Sequence, residues 1–439
     1  MQFVNIPIAK PTIDDMVINL TGRTMVSLFE ILSTKRFGLI EETITPAERK
    51  KKLSEYSKKV RKNKGEVFVD SGGYSIITSN LNYYDIEEYE EYYQDFLAND
   101  SDLYDYIFSL DIPYGIQDEK LQDRQAIQAF NHRVLDRSFK ILDKNPSLKE
   151  KFIFVYHFRM LDLWEVWQKL YEDLDIGKKV IHRSIGGMVS LRGLNRHQYF
   201  STFTFIVFRL FCDFVNSGSK AEEFRIHLLG INHPIDRFLI AIMEKAFNVA
   251  IGDETKITFS YDSVRYNYDA WKKFNKVGYW DVKNQELISN KLLDVPEATL
   301  KKVYPSDLDY VKDEISNHRK GKKLKSTSIF VPLSIHSQML LDQFFMNVVD
   351  ELDIVNRMDN KKGTSLSGFK QRITGIKDDL FDNYSAFFKR DKKKAMSMFE
   401  KRIEDELYIV AGLINWLTYV NDPKKLEQIT RSEIEKMRT

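Results

Sequence analysis

The apolar positions of this chain change their period along its length. From Val67 to Tyr261, short runs of β-branched and aromatic residues alternate with longer segments in which apolar residues recur at helical spacing. The runs are Val67 to Val69, Tyr106 to Leu110, Phe152 to Tyr156, Val180 to Ile185, Phe224 to Leu229 and Ile257 to Tyr261. The helical segments between them are Ile86 to Leu97, Leu121 to Leu142, Leu161 to Leu170, Arg196 to Val215 and Ile235 to Phe247. Such alternation predicts repeated β-α units on a parallel sheet. Further strands are expected at Met16 to Leu20 and at Ser328 to Val331, which brings the count to the eight that close a parallel barrel.

Helical periodicity alone does not separate a closed barrel from an open doubly wound sheet. The position of the unusual residues does. Asp70, Asp111, His157, Gly186-Gly187, Gly230 and Asp262 stand at the ends of successive strands, whereas an open sheet would gather them at one switch point. The expected fold is α/β, a (β/α)8 TIM-like barrel with a mainly helical C-terminal extension. Residues 1–265 form the main part of the barrel in this reading. Residues 266–439 carry long helices, such as Gln338 to Val355 and Ala395 to Val420, and leave room for the last barrel strand and helix to come from this region.

Composition changes the picture in three places. A net charge of +2 gives no global electrostatic preference, so any basic surface has to be local. The most apolar window, Phe203 to Val215, is interrupted by Arg209 and Asp213 and is too short for a bilayer, so it is expected to be a buried helix and no membrane partner is expected. The single cysteine, Cys212, excludes an intramolecular disulfide and any site needing two thiolates, which suits a reducing cytoplasm. Residues Met1 to Lys10 lack the pattern of a secretory signal, which also points to the cytoplasm.

The candidate chemistry begins at Asp70-Ser71-Gly72-Gly73-Tyr74, directly after a strand, where two glycines allow a tight turn and close approach of backbone amides to a ligand. The same pattern also serves as an Asx-turn that merely ends a strand. It is followed by Ser109-Leu110-Asp111, Ile185-Gly186-Gly187-Met188, His227-Leu228-Leu229-Gly230 and Phe259-Ser260-Tyr261-Asp262-Ser263. In this order and at these intervals the five motifs resemble the tRNA-guanine transglycosylase superfamily, whose members exchange a guanine in a nucleic acid for a 7-deazaguanine. The resemblance covers roughly Val67 to Asp262.

The resemblance implies a role for each motif. Asp262 would attack the anomeric carbon and hold the sugar as a covalent aspartyl intermediate, dividing one hard displacement into two easier ones. Asp70 would move the proton that lets one base leave and the next attack. Asp111 would accept hydrogen bonds from the N–H edge of the purine. Ser71, Gly72, Gly73, Gly186 and the backbone of Gly187 and Met188 would complete base recognition, with Tyr74 as a stacking or wall residue. An isolated Asp at a strand end also caps a following helix, and that alternative stands for Asp111.

Three departures from the family pattern carry consequences. His157 stands where the family has Gln, so contact with the carbonyl of the base would fall to an imidazole. Arg192 replaces a glutamate that helps the bacterial tRNA enzymes recognise a cationic aminomethyl group; a cation here favours a neutral, nitrile-bearing base. The three closely spaced cysteines of the family's structural zinc site are absent, although His336 sits where the zinc-binding histidine would fall. No metal and no cofactor are therefore expected, and the C-terminal region should be held by packing alone.

Loss of the zinc module and the divergent C-terminal half resemble the phage and bacterial DNA-guanine transglycosylases. DNA is therefore favoured over tRNA as the nucleic-acid partner, with a free 7-deazaguanine base as co-substrate and, for a phage-encoded chain, the host cytoplasm as location. Basic stretches at Arg49 to Lys52, Lys58 to Lys64 and Arg319 to Lys325 are candidates for tracking phosphates, or are simply solvated helix faces. The competing readings are a tRNA-acting transglycosylase, a non-catalytic nucleic-acid-binding paralogue and a barrel glycosidase. Retention of both Asp70 and Asp262 argues against the paralogue, and base-recognition elements have no purpose in a glycosidase.

Overall fold

The computed structural model describes residues 1–4, 16–17, 20–29, 46–62, 64–73, 76, 83–112, 124–157, 161–186, 196–231, 233–263, 278–281, 284, 286–289, 295–320, 330–360, 365–388 and 393–438. Eight parallel strands form a nearly closed barrel: β1 (Gln2–Val4), β2 (Arg23–Ser27), β3 (Glu66–Asp70), β4 (Tyr106–Phe108), β5 (Phe152–His157), β6 (His182–Gly186), β7 (Glu223–Leu228) and β8 (Lys256–Asp262). Each pairs with its sequence neighbour from β2 to β8, and β1 pairs with β8 in the register Gln2↔Ser260 and Val4↔Asp262. The longer helices between strands are α1 (Pro46–Lys62), α2 (Tyr83–Asn99), α3 (Arg124–Lys144), α4 (Leu161–Asp173), α5 (Arg196–Asn216) and α6 (Pro234–Ile251).

Six expected strands fall where the pattern placed them, and two do not. Met16 and Val17 are helical, and the early strands are Gln2–Val4 and Arg23–Ser27 instead. At the other end, Val331 opens a helix behind Phe330, so the eight strands are complete at Asp262. Met16, Val17, Phe330 and Val331 join the apolar core outside the barrel, and residues 18, 19, 328 and 329 of the two expected strands lie outside the described residues. The strand expected over Tyr106 to Leu110 stops at Phe108 because Ser109 Oγ, 2.9 Å from Val155 N, accepts the hydrogen bond a ladder carbonyl would take.

Strand parity divides the core in two. Val67, Val69, Ile107, Phe152, Phe154, Ile185, Ile226, Phe259 and Tyr261 point outward into the helix layer and belong to its continuous apolar core. Val4, Met25, Phe68, Phe108, Ile153 and Val155 point inward and form a separate plug inside the barrel. At the N-terminal end of that plug, Arg225 is buried and donates to Gln2 at 2.7 Å and to Glu223 at 3.1 Å. Its guanidinium also covers the Tyr106 ring at 4.6 Å, and burial pushes the Tyr106 hydroxyl up to about 12.

Among the described residues the C-terminal region is helical apart from the antiparallel hairpin β9 (Gly278–Asp281) and β10 (Glu286–Ser289). Its helices are α7 (Glu297–Val303), α8 (Leu308–Arg319), α9 (Val331–Glu351), α10 (Ile354–Met358), α11 (Leu366–Phe388), α12 (Lys393–Leu417) and α13 (Pro423–Arg438). Helix α9 packs on α6 and β1, α12 lies across α5 and α6, and α13 reaches α4 and α5. Phe238 meets Phe345 at 5.5 Å and Phe208 meets Trp416 at 5.3 Å across these contacts. Packing is joined by a buried ion pair: Arg237 on α6 donates from Nε to Asp342 on α9 at 2.8 Å, and Asp342 also accepts from Tyr261 OH at 2.6 Å. The expected buried helix over Phe203 to Val215 is α5, and among the described residues no helix is long and apolar enough to cross a membrane.

Two measurements test these packing arguments. Arg237→Met leaves Asp342 buried beside Tyr261 without its cation, so urea denaturation should register a loss of about 3–5 kcal/mol; a loss under 1 kcal/mol would mean that the pair is dispensable. The second concerns His182, whose Nδ1 accepts from Arg225 N at 3.2 Å while Nε2 lies 3.0 Å from Glu150 O. Burial, with the nearby Arg225 charge, pushes this imidazole down to about 3. The unfolded chain takes up the proton below about pH 6.5 and the native chain does not, so this group's contribution is complete above that pH and falls by about 1.4 kcal/mol per unit on acidification. Between pH 7 and pH 5, His182→Gln should therefore lose about 2 kcal/mol less stability than the wild type. Parallel pH dependences would show that the native imidazole does take the proton.

Candidate functional site

The C-terminal ends of the strands carry the polar residues singled out by the motifs. Glu66, Phe68 and Asp70 alternate with the outward valines of β3, which aims Asp70 into the mouth of the barrel in register with Ser27 of β2. The turn beyond it is held from α2, where Tyr89 OH donates to Ser71 O. Gly72 has φ +83°, and a Cβ there would stand 2.5 Å from Phe29 Cβ, so both the conformation and the space call for glycine. Ser71, Gly72 and Gly73 are buried.

Asp111 lies just past β4 and is buried. Asn131 clamps the next residue from two sides, accepting from Ile112 N at 2.8 Å and donating to Ile112 O at 3.1 Å. Helix α3 is described from Arg124 onward, and residues 113–123, where a cap on it would be decided, lie outside the described residues. Asp111 Oδ2 is in close contact with His157 Nε2 from the end of β5, without hydrogen-bond geometry. The imidazole is wedged between Trp167, with ring centres 5.6 Å apart, and Gly186. A Cβ on Gly186 would come within 2.7 Å of His157 Cε1, which explains a glycine at this strand end.

Asp262 ends β8 and is buried apart from a small opening. Its Oδ1 accepts from Gly230 N at 3.0 Å and faces His227 Nε2 at 3.3 Å. His227 in turn places Nδ1 2.9 Å from Ser260 Oγ and rests edge-on against Phe108. Burial pushes the His227 imidazole down, partly opposed by its hydrogen bond to Asp262, so the ring is neutral at neutral pH. Gly230 reaches the carboxylate with φ +75°, the conformation its motif glycine permits.

Asp70, Ser71, Gly72, Gly73, Asp111, His157, Gly186 and Asp262 are thus all placed at one end of the barrel. Tyr74, Gly187, Met188 and Arg192 lie outside the described residues. Two residues without an assigned role in the sequence reading belong to the site, His227 and Ser260. Parity offered the signal: counted back in twos from Asp262, and across to the neighbouring strand, both fall on the inward face.

The first two basic stretches lie mostly on α1. Lys50 pairs with Asp100 at 3.2 Å, Ser57 bonds Leu103 O, and Arg61 donates to Asp102 O at 2.7 Å. Those partners lead into the N-terminal end of β4, so Lys50 and Arg61 sit at the end of the barrel away from Asp70 and Asp262. Residues 321–325 of the third stretch lie outside the described residues.

His336 is buried on α9, and burial with the Lys302 charge pushes its imidazole down to about 4. Cys212 is buried on α5, where desolvation keeps it a thiol rather than the thiolate that binds metal. Among the described residues no group of three or more His, Cys, Asp or Glu is arranged to hold an ion. No protein-family model matches this chain, and no curated protein resembles it closely enough to count as a relative.

The wedge at Gly186 predicts a local rearrangement. Gly186→Ala should cost about 1–3 kcal/mol in denaturant unfolding, because the added methyl displaces a packed ring. A crystal structure of the variant should show the imidazole turned away from Asp111; an unmoved ring would mean that the strand yields instead.

Proposed function

We propose that this protein is a guanine transglycosylase that exchanges guanine in DNA for a free 7-deazaguanine. The observation that carries the reading is the arrangement at the barrel mouth: a buried carboxylate, Asp262, fixed through one oxygen, opens onto the same strand-end face as Asp70 and the Asp111–His157 pair. A face built this way suits covalent catalysis on a planar base whose edge offers both N–H groups and a carbonyl.

In the first half-reaction an Asp262 oxygen attacks the anomeric carbon, the bond from that carbon to guanine N9 breaks, and its electron pair leaves with the base. Asp70 supplies the proton that the departing purine needs. Asp111 accepts from the N–H edge while His157 offers a donor toward the carbonyl, so one contact pair reads both sides of the base edge. In the second half Asp70 takes the N9 proton of the incoming 7-deazaguanine, N9 attacks the anomeric carbon, and the bond to Asp262 breaks to restore the carboxylate. The target nucleotide has to leave its stack to reach a barrel mouth, which favours a flipped or single-stranded substrate.

Exchange of labelled guanine into duplex DNA, single-stranded DNA and tRNA tests this reading. DNA should be labelled and tRNA should not; labelling of tRNA alone would reassign the substrate. Asp262→Asn should abolish exchange with the fold intact, since an amide does not form the glycosyl bond. Asp70→Asn should lower the rate by about 10²–10⁴-fold, the usual contribution of a positioned proton-transfer group. Wild-type exchange by Asp262→Asn would end the mechanism.

A further inference from the structure

Inside the barrel, His227 is the one fully buried side chain that reaches from the apolar plug to Asp262 among the described residues. Its two ring nitrogens have different neighbours. A neutral imidazole carries one N–H, and an ionised Asp262 can only accept, so the proton belongs on Nε2. Nδ1 is then an acceptor, and Ser260 Oγ, 2.9 Å away, donates to it. The carboxylate thereby sets the tautomer, and the hydroxyl, able to donate, completes it and holds the ring in place. Phe68 and Phe108 pack against the ring, with centres 6.1 and 4.9 Å away, and hold its plane.

We propose that His227, locked by Ser260, is a positioning residue that holds Asp262 Oδ1 and assists release of the sugar from the aspartyl intermediate. This rests on the reading of Asp262 as nucleophile. The Gly230 amide and the His227 imidazole both approach Oδ1, which reserves Oδ2 for the bond to the anomeric carbon. When that bond breaks, negative charge returns to the carboxylate and spreads over both oxygens. A donor already aimed at Oδ1 stabilises this developing charge without reorganisation. The same donor does less for attack, in which the carboxylate loses charge. Loss of His227 should therefore slow the second half-reaction more than the first.

The test compares His227→Leu, which keeps much of the volume and has no donor, with His227→Gln, whose amide N–H reaches toward the position of Nε2, and with Ser260→Ala. Each is assayed on DNA with guanine as the incoming base, and the covalent protein–DNA adduct is trapped by rapid denaturation. His227→Leu should lower kcat by about 10- to 100-fold, the range expected for loss of a hydrogen bond to a charged group. Its steady-state adduct fraction should rise above that of the wild type. His227→Gln should recover most of kcat and the wild-type adduct fraction, and Ser260→Ala should fall between. A folded His227→Leu with wild-type kcat overturns the proposal. So does a His227→Gln as slow as His227→Leu with an unchanged adduct fraction, because packing alone would then explain the residue. Failure of the underlying reading looks different: the wild type would form no trappable adduct, or Asp262→Asn would still exchange bases.

Discussion

A polar side chain that points into a closed barrel has to find its partner among the other inward side chains, because the walls exclude bulk water. That constraint bears on both ends of the interior. At the N-terminal end the terminal nitrogens of Arg225 meet Gln2 and Glu223, and its guanidinium covers the face of Tyr106. At the C-terminal end Asp262 is satisfied by Gly230 and His227. Phe68 lies between them, its ring 5.4 Å from the Arg225 guanidinium and 6.1 Å from the His227 ring. The aromatic layer thus lies between the buried cation and the buried carboxylate.

The same economy governs the outside of the barrel. Tyr261 and Asp262 are adjacent, yet one faces the helices and the other the interior, and each is anchored by a different element, Tyr261 from α9 and Asp262 from β7 and the glycine beyond it. Tyr261 donates to Asp342 on α9, which Arg237 on α6 holds in place. The C-terminal helices therefore bear on the strand that carries the candidate nucleophile.

Much of this was legible in the residues. Alternating apolar runs located six of the eight strands, because Val, Ile and Phe at those positions pack outward against helices whatever lies inside. The strand ends were legible too, since Asp70, Gly186 and Asp262 interrupt those runs. The remaining two strands were not: Gln2–Val4 and Arg23–Ser27 are short and partly polar, with inward Gln2 and Arg23, and nothing local distinguishes them from loop. The pairing of His157 with Asp111 and of His227 with Asp262 was also hidden. Each joins residues far apart in the sequence, and only the pairing of the strands brings them within reach.

The pairing of β1 with β8 bears on how the molecule comes into being. Gln2 meets Ser260 and Val4 meets Asp262, so nearly the whole barrel lies between the two partners in the chain. Contacts of such high sequence separation form late and slowly. On a ribosome, β1 emerges first and waits with an unpaired edge until β8 follows. An unpaired strand edge is a template for association with other chains. Expression of this protein is therefore best served by slow synthesis at low temperature and by chaperones that shield the N-terminal segment until the last strand arrives.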